Sequence, residues 1–388
     1  MRENRNYAYC LDPQAQSPAK VEIDLSALAA NYVYLKKQTS SMLMPVIKAD
    51  AYGHGIVPVC RTLAGAGAEQ LAVGTVEEGA LLRKTGFGGS VLALLGALAP
   101  EDVDLAIENR VTVLAGSAEQ IRRIGARANG RDVPVALKFN TGMNRLGFVP
   151  GSLGSLFALL EENPCVKPVL AVSHLASADE DGGVQATLRQ IEVFKDVVRA
   201  VKLRFPEIKT SLYNSAGLLA YSKEFATDYV RPGLALYGAN PLFGAKINRS
   251  EIDAALKPVM QVKAPVVQVH PLLKGESISY GGTFTAPEDM RVAIVAAGYA
   301  QGYSRGMANK SEMSLNGKRC RVLGRICMQL VAVDTSNQPE AAEGDFAYLL
   351  GGEGDKPVTS HELAAWWGTI PYEVFCLLGS MNARNYPG

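Results

Sequence analysis

The chain reads as an α/β protein: an N-terminal (β/α)8 barrel of the TIM type followed by a mostly β domain. Two observations carry this. From about residue 20 to 240, short apolar, β-branched runs alternate with segments of helical spacing, and the runs number eight. After about Asn240 the helical spacing fades, and β-rich runs separated by glycine turns take over. Eight βα units in about 200 residues is the repeat of a closed barrel.

The candidate barrel strands are 42–47, 71–74, 91–95, 111–114, 133–139, 169–173, 209–212 and 228–230. Ahead of them, 21–25 reads as a strand available to the β domain. Ser26 then reads as an N-cap for a helix whose face is Leu28, Tyr32 and Leu35. A longer helix is expected over 186–203, with Leu188, Ile191, Val197, Val198 and Val201 apolar. A doubly wound sheet is the competing architecture. The stretch Gly65-Ala66-Gly67 does not support it, because it follows a helical pattern rather than a strand. Residues 240–258 read as a connector. Strands are then expected at 260–269, 291–297, 318–326, 330–334 and 346–350, with Asn316-Gly317 and Gly281-Gly282 as turns. Thr359-x-x-Glu362 is a capping box for a late helix. The expected division is a loose extension over 1–20, a barrel over 21–250 and a β domain over 251–388.

Composition excludes several classes of function. A net charge of +1 without a long basic run gives no reason to expect nucleic acid or an anionic membrane as partner. No apolar stretch approaches a membrane span, and the polar N-terminus has no signal-peptide core. The six cysteines are scattered without a Cys-x-x-Cys pair, and the four histidines lie far apart. No disulfide framework and no metal site is expected, and a reducing compartment, the cytoplasm, is the simplest setting.

The residue that carries most information is Lys48. It closes the run Leu43-Met44-Pro45-Val46-Ile47 and opens Ala49-Asp50-Ala51-Tyr52-Gly53-His54-Gly55. An amine at the end of a buried strand is partly desolvated, which favours its neutral, nucleophilic form and Schiff-base chemistry. The bland alternative is a surface lysine with a buried stem. Lys138 and Arg145, His174, Asn214 and Ser215, and Arg231 also fall at the carboxyl ends of strands, where barrel enzymes place their chemistry. Asn214-Ser215-Ala216-Gly217 and Arg231-Pro232-Gly233-Leu234 follow the seventh and eighth strands, the usual phosphate cradle of this fold. Alone, Ser215 could equally be a helix N-cap. A phosphate there together with an amine at Lys48 points to pyridoxal 5'-phosphate.

With these residues in view, the chain resembles the alanine racemases over nearly its whole length. The matching stretches include Val46 to Gly55, Leu137-Lys138-Phe139-Asn140-Thr141-Gly142-Met143-Asn144-Arg145-Leu146-Gly147, and Ser173-His174-Leu175. They continue with Asn214-Ser215-Ala216, Val230-Arg231-Pro232-Gly233, Ser279-Tyr280-Gly281-Gly282-Thr283, Gly324-Arg325-Ile326-Cys327-Met328 and Pro371-Tyr372-Glu373. The resemblance implies a homodimer with shared active sites and a small amino-acid substrate. It implies that Lys48 holds the cofactor and acts as one proton-transfer base. Tyr280, reaching in from the other subunit, is the second base, with His174 and Arg231 as a relay behind it. Tyr52, Ser215, Gly233, Leu234 and Tyr372 would hold the phosphate, and Arg231 would face the pyridine nitrogen. Arg145 and the backbone N–H of Met328 would hold the substrate carboxylate. Lys138 would be carbamylated, and Asp179, Arg305 and Arg325 would belong to the entry corridor. Asn140, Gln301 and Gln329 stand where acids are usual in the family. A broader serine- or lysine-type racemase, a fold-related decarboxylase and a cofactor-free Schiff-base aldolase are the competing readings.

Overall fold

The computed structural model describes residues 17–248, 250–354 and 356–387. Most of the expected loose extension, residues 1–16, lies outside them. The chain divides into two compact units, Leu25–Val259 and a C-terminal unit from Met260 that also takes the strand Lys20–Ile23. The division expected from the sequence is 21–250 and 251–388. Pairing rather than chain order places the early strand, because Lys20–Ile23 lies between Met260–Leu272 and Ala383–Asn385.

In the first unit the strands Met42–Leu43, Gln70–Val73, Ser90–Ala93, Val111–Ala115, Val133–Lys138, Val166–Val172, Lys209–Ser211 and Tyr229–Val230 form one parallel sheet. Each of the eight expected runs overlaps one of them. The first strand pairs with the eighth, and the ring closes through a parallel bridge between Val46 and Ala72. The first strand is much shorter than the expected 42–47. Hydrogen bonds nevertheless continue past Leu43: Met44 N–H donates to Val230 and Val46 N–H to Pro232 on one side, while on the other Ile47 N–H donates to Ala72 and Pro45, which has no N–H to give, accepts from Ala72 (2.8 Å each). The strands are buried on both faces, as their continuous apolar runs require. Consecutive residues are covered alike: Leu71, Ala72 and Val73 are fully buried, as are Val135, Ala136 and Leu137.

The first helix, Leu25–Lys36, buries Leu28, Tyr32 and Leu35 as expected. It starts one residue before the expected N-cap, so Ser26 stands inside the first turn. The long helix runs Val184–Arg204. The connector is tied to the barrel by Asn31, whose Nδ2 donates to the carbonyls of Leu236 (3.0 Å) and Lys257 (2.8 Å) and whose Oδ1 accepts from Lys257 N–H (2.8 Å).

The C-terminal unit is mostly antiparallel. Met290–Val295, Val331–Asp334, Lys318–Leu323, Glu312–Leu315, Phe346–Leu350 and Met260–Leu272 pair in that order, and the last returns to the first, closing a ring. Glu312–Leu315 is not among the expected strands, although it forms the hairpin announced by Asn316-Gly317. Both turn residues have positive φ (48° and 74°), the geometry that suits a tight two-residue hairpin. The helix Ser360–Trp367 begins with the expected capping box at Thr359 and Glu362. Among the described residues no helix is long and apolar enough to cross a membrane.

Candidate active site

Lys48 follows the first barrel strand, and the turn after it is strained. Ala49, Asp50, Ala51 and Tyr52 all have φ between 52° and 56°. Non-glycine residues in this left-handed region cost roughly 1–2 kcal/mol each, so the turn stores on the order of 4–8 kcal/mol. The glycine-rich sequence suggests that Gly53 and Gly55 make the turn. They follow it at φ 79° and 90°, but the strain sits on the residues between Lys48 and Gly53. Ala51 N–H donates to Ile47 (2.9 Å), Gly55 N–H to the Asp50 carbonyl (2.9 Å) and Ile56 N–H to Asp50 Oδ1 (2.7 Å). Fully buried His54 stacks on Tyr237 with ring centroids 4.3 Å apart, and Tyr52 packs on the same ring at 5.2 Å.

A polar cradle adjoins the Tyr52 ring. Asn214 caps the helix Ser215–Tyr221 by accepting from Gly217 N–H (2.9 Å), which frees Ser215 from the capping role considered for it. The buried Ser215 hydroxyl instead accepts from the N–H groups of Gly233 (2.9 Å) and Ala235 (3.3 Å). Leu234 is buried beside them. A Cβ added to Gly233 would lie 2.9 Å from Tyr52 Oη, so glycine there leaves open the space against the phenol. Tyr52 and Ser215 thus place two hydroxyls around the space that Gly233 leaves open, groups that suit a phosphate.

Behind it, Arg231 is almost fully buried. Its guanidinium donates to Ser211 Oγ (2.5 Å), the Ser173 carbonyl (2.6 Å) and the Leu212 carbonyl (3.3 Å), and Nη2 lies 3.3 Å from His174 Nδ1. Burial pulls Arg231 down to about 10, which leaves it charged at neutral pH. Arginine has only donors, so Nδ1 of His174 accepts and the imidazole proton sits on Nε2. Burial, then Arg231, Lys138, Arg145 and Lys48, push His174 well below its ordinary value, so it is neutral at pH 7. Four cationic groups, Arg231, Lys138, Arg145 and Lys48, therefore stand within electrostatic reach of His174.

Lys138 ends the fifth strand and is buried. Desolvation, with help from Arg231 and Arg145, lowers it to about 7. Arg145 is exposed on the loop that follows. That loop returns to its own start: Asn140 N–H donates to Phe148 and Phe148 N–H to Lys138 (2.9 and 2.8 Å). Asn140 organises the loop. Its Oδ1 accepts from Gly142 and Asn144 N–H (3.1 and 3.0 Å), and its Nδ2 donates to Asn144 Oδ1 (3.0 Å). Asp179 is exposed after the sixth strand.

Tyr280, Met328, Arg305, Arg325 and Tyr372 belong to the C-terminal unit. Tyr280 stands at the tip of a small hairpin in which Ser277 pairs with Thr285 and Ile278 with Phe284. Ile278 and Phe284 pack against the core of Leu272, Ala286, Val292, Leu323 and Ala332, and Tyr280 is left 66% exposed. The hairpin is pinned to the next loop by Ser279 Oγ, which donates to the Arg325 carbonyl (2.5 Å). A Cβ on Gly281 would come 2.8 Å from Arg325 Nη1. Met328, exposed on that loop, accepts at its carbonyl from Ala300 N–H (2.9 Å). Gln301 is buried, and its carbonyl accepts from Asn382 Nδ2 (3.0 Å), while Gln329, Arg305 and Arg325 are exposed. Tyr372 lies in the first turn of the helix Pro371–Met381.

Sequence reading missed the residues that hold this site in place. Buried Gln190 donates to the His174 carbonyl (3.1 Å) and accepts from Ala176 N–H (2.9 Å). Ser211 anchors Arg231. Glu78 accepts from Asp50 N–H in the strained turn (3.2 Å). Of these only Glu78 carries a local signal, the capping-box spacing Thr75-x-x-Glu78.

The chain thus combines a parallel barrel carrying a lysine after its first strand with a mostly antiparallel C-terminal unit. The family model of the alanine racemase N-terminal domain matches residues 23–241, and that of the alanine racemase C-terminal domain matches 259–386. The chain belongs to the alanine racemase family. It is 48% identical to the alanine racemase of Nitratidesulfovibrio vulgaris (strain DSM 19637 / Miyazaki F) over 373 residues, 96% of this chain and 99% of that protein. It is 44% identical to that of Lawsonia intracellularis, covering 93% and 95% of the two chains. The crystal structure of biosynthetic alanine racemase from Pseudomonas aeruginosa superimposes with a TM-score of 0.86 at 32% identity, covering 96% of this chain and all of that one. The alanine racemase from Bartonella henselae with covalently bound pyridoxal phosphate gives a TM-score of 0.83 at 27% identity, covering 95% and 99%.

Proposed function

We propose that this chain interconverts L- and D-alanine with pyridoxal phosphate held on Lys48, and that Lys48 and Tyr280 are the two proton-transfer groups. The observation that carries this reading is the shared rim on which Lys48, the Tyr52–Ser215–Gly233 cradle and the Arg231–His174 pair converge. The residues present fit the cofactor: a strand-end amine for its aldehyde, and the Tyr52 and Ser215 hydroxyls with a Cβ-free gap at Gly233 for its phosphate. When bound, the cofactor supplies an electron-withdrawing ring that acidifies the substrate Cα–H.

Everything else falls to the side chains. Lys48 Nζ takes or returns a proton at Cα on one face, and Tyr280 Oη does so on the other. Tyr280 comes from a second copy of the chain, so the active unit is a homodimer. Neutral His174 offers Nε2–H to the phenol oxygen, and Arg231 fixes that tautomer through Nδ1. Arg231, which stays charged, would hold the pyridine end of the cofactor and, having no proton to give up, would restrain its side reactions. Arg145, with the backbone N–H of Met328, grips the substrate carboxylate through its planar fork. Lys138 carries a carbamate that orients Arg145. Tyr372 and Leu234 complete the phosphate site, and Asp179, Arg305 and Arg325 line the approach.

The test is an enantiomer-resolved assay of L-alanine, D-alanine, L-serine and L-lysine on protein reconstituted with pyridoxal phosphate. Alanine turnover in both directions is expected. Preferred turnover of serine or lysine would move the substrate assignment, and a protein whose absorbance ignores added cofactor would favour the aldolase.

A further inference from the structure

We infer that Glu78 is a positioning residue for Lys48, the clamp that holds the strained turn in register with the neighbouring strand. The inference rests on the reading of Lys48 as the cofactor-bearing lysine. Glu78 lies in the first turn of the helix Val76–Lys84, after the second barrel strand. Its own N–H is capped by Thr75 Oγ1 (3.3 Å). Its two carboxylate oxygens reach different pieces of backbone. Oε1 accepts from Asp50 N–H (3.2 Å), two residues beyond Lys48. Oε2 accepts from Gly74 N–H (2.6 Å) and Thr75 N–H (3.4 Å) at the strand end.

Gly74 shows how close the two partners are. A Cβ built there would lie 3.1 Å from Glu78 Oε2 and 3.4 Å from Lys48 Cβ, so the carboxylate and the lysine stem flank the same glycine. A left-handed run of non-glycine residues persists only when its surroundings over-determine it. Asp50 Oδ1 ties the far end to Ile56 N–H, and Glu78 ties the near end. The side chain must accept on both oxygens, because every partner is an N–H. An amide would turn its own NH2 toward one of them. A capping role alone needs only the bonds to Thr75. The bond to Asp50, 28 positions away, belongs to the lysine turn.

The experiment compares Glu78→Gln and Glu78→Asp with Thr75→Ala in the full chain. Amide hydrogen exchange at Asp50 and Gly55 is followed with and without pyridoxal phosphate, and kcat and KM for alanine are measured. In Glu78→Gln, exchange at Asp50 should accelerate about tenfold or more. Its kcat should fall roughly tenfold to a hundredfold with KM nearly unchanged, the signature of a misplaced group rather than lost binding. Glu78→Asp keeps the charge but is one methylene short, and should behave as Gln does. Thr75→Ala loosens the cap and should leave the Asp50 amide protected. If the Glu78 variants fail to fold, Gly74→Ala crowds the same junction from the other side and should give the same exchange pattern. Wild-type exchange at Asp50 or wild-type kcat in a folded Glu78→Gln overturns the inference. Absence of racemisation in the wild type would instead sink the proposed function, while the exchange data still decide what Glu78 holds.

Discussion

Lys138 offers a prediction that can be worked from the structure. An ordinary lysine near 10.5 is neutral at pH 7 in only about three molecules in ten thousand. Lys138, desolvated and facing Arg231 and Arg145, titrates at about 7, so about half of it is neutral at that pH. Only the neutral amine attacks carbon dioxide. The amine nitrogen bonds to the carbon and releases one proton, leaving an anionic carbamate within electrostatic range of two guanidinium groups. The reactive fraction is therefore raised on the order of a thousandfold, and the product exchanges cation repulsion for attraction. The perturbation is bicarbonate labelled with carbon-13, added to protein prepared free of carbon dioxide. A slowly exchanging carbamate resonance is expected at neutral pH, absent in Lys138→Met. The same environment makes a stability statement. In carbon-dioxide-free buffer the unfolded chain binds more protons at this lysine between about pH 7 and 10.5, so stability should rise across that window. The full difference is about 5 kcal/mol. A wild type with no carbamate signal, or with a signal unchanged in Lys138→Met, would refute the reasoning.

Three further outcomes are expected. Gly233→Ala places a methyl 2.9 Å from Tyr52 Oη and should weaken pyridoxal-phosphate binding about tenfold or more in an absorbance titration, with the barrel still folded. Tyr280→Phe removes the hydroxyl of an exposed side chain, so melting should shift by less than about 0.5 kcal/mol while solvent-deuterium incorporation from one enantiomer collapses. Arg231→Lys cannot reproduce the guanidinium fork to Ser211, Ser173 and Leu212, and should cost about 2–4 kcal/mol in denaturant unfolding.

The barrel was legible because each strand is covered on both faces, and continuous apolar runs record that burial directly. The rim residues were legible for a related reason. A charged or polar group placed at the end of such a run, as Lys48, Lys138, His174 and Arg231 are, has no cause within its own strand. Strand ends were less legible. Pro45 gives no N–H to the second strand, so the regular part of the first run is short although its hydrogen bonds reach Ile47, and Glu312–Leu315 is half polar because its pattern is set by the neighbours on either side.

What the chain order by itself determined is the list of chemical groups and the end of each element on which they sit, since both follow from local patterning. Only the tertiary structure decided how those groups are held. The left-handed run after Lys48 falls on alanines, an aspartate and a tyrosine that no propensity would place there, and its anchor arrives from Glu78 on another element. Likewise the tautomer of His174 is set by an arginine 57 positions away. Strain and protonation depend on what surrounds a residue in space, and closure of the barrel brings together neighbours that are far apart along the chain.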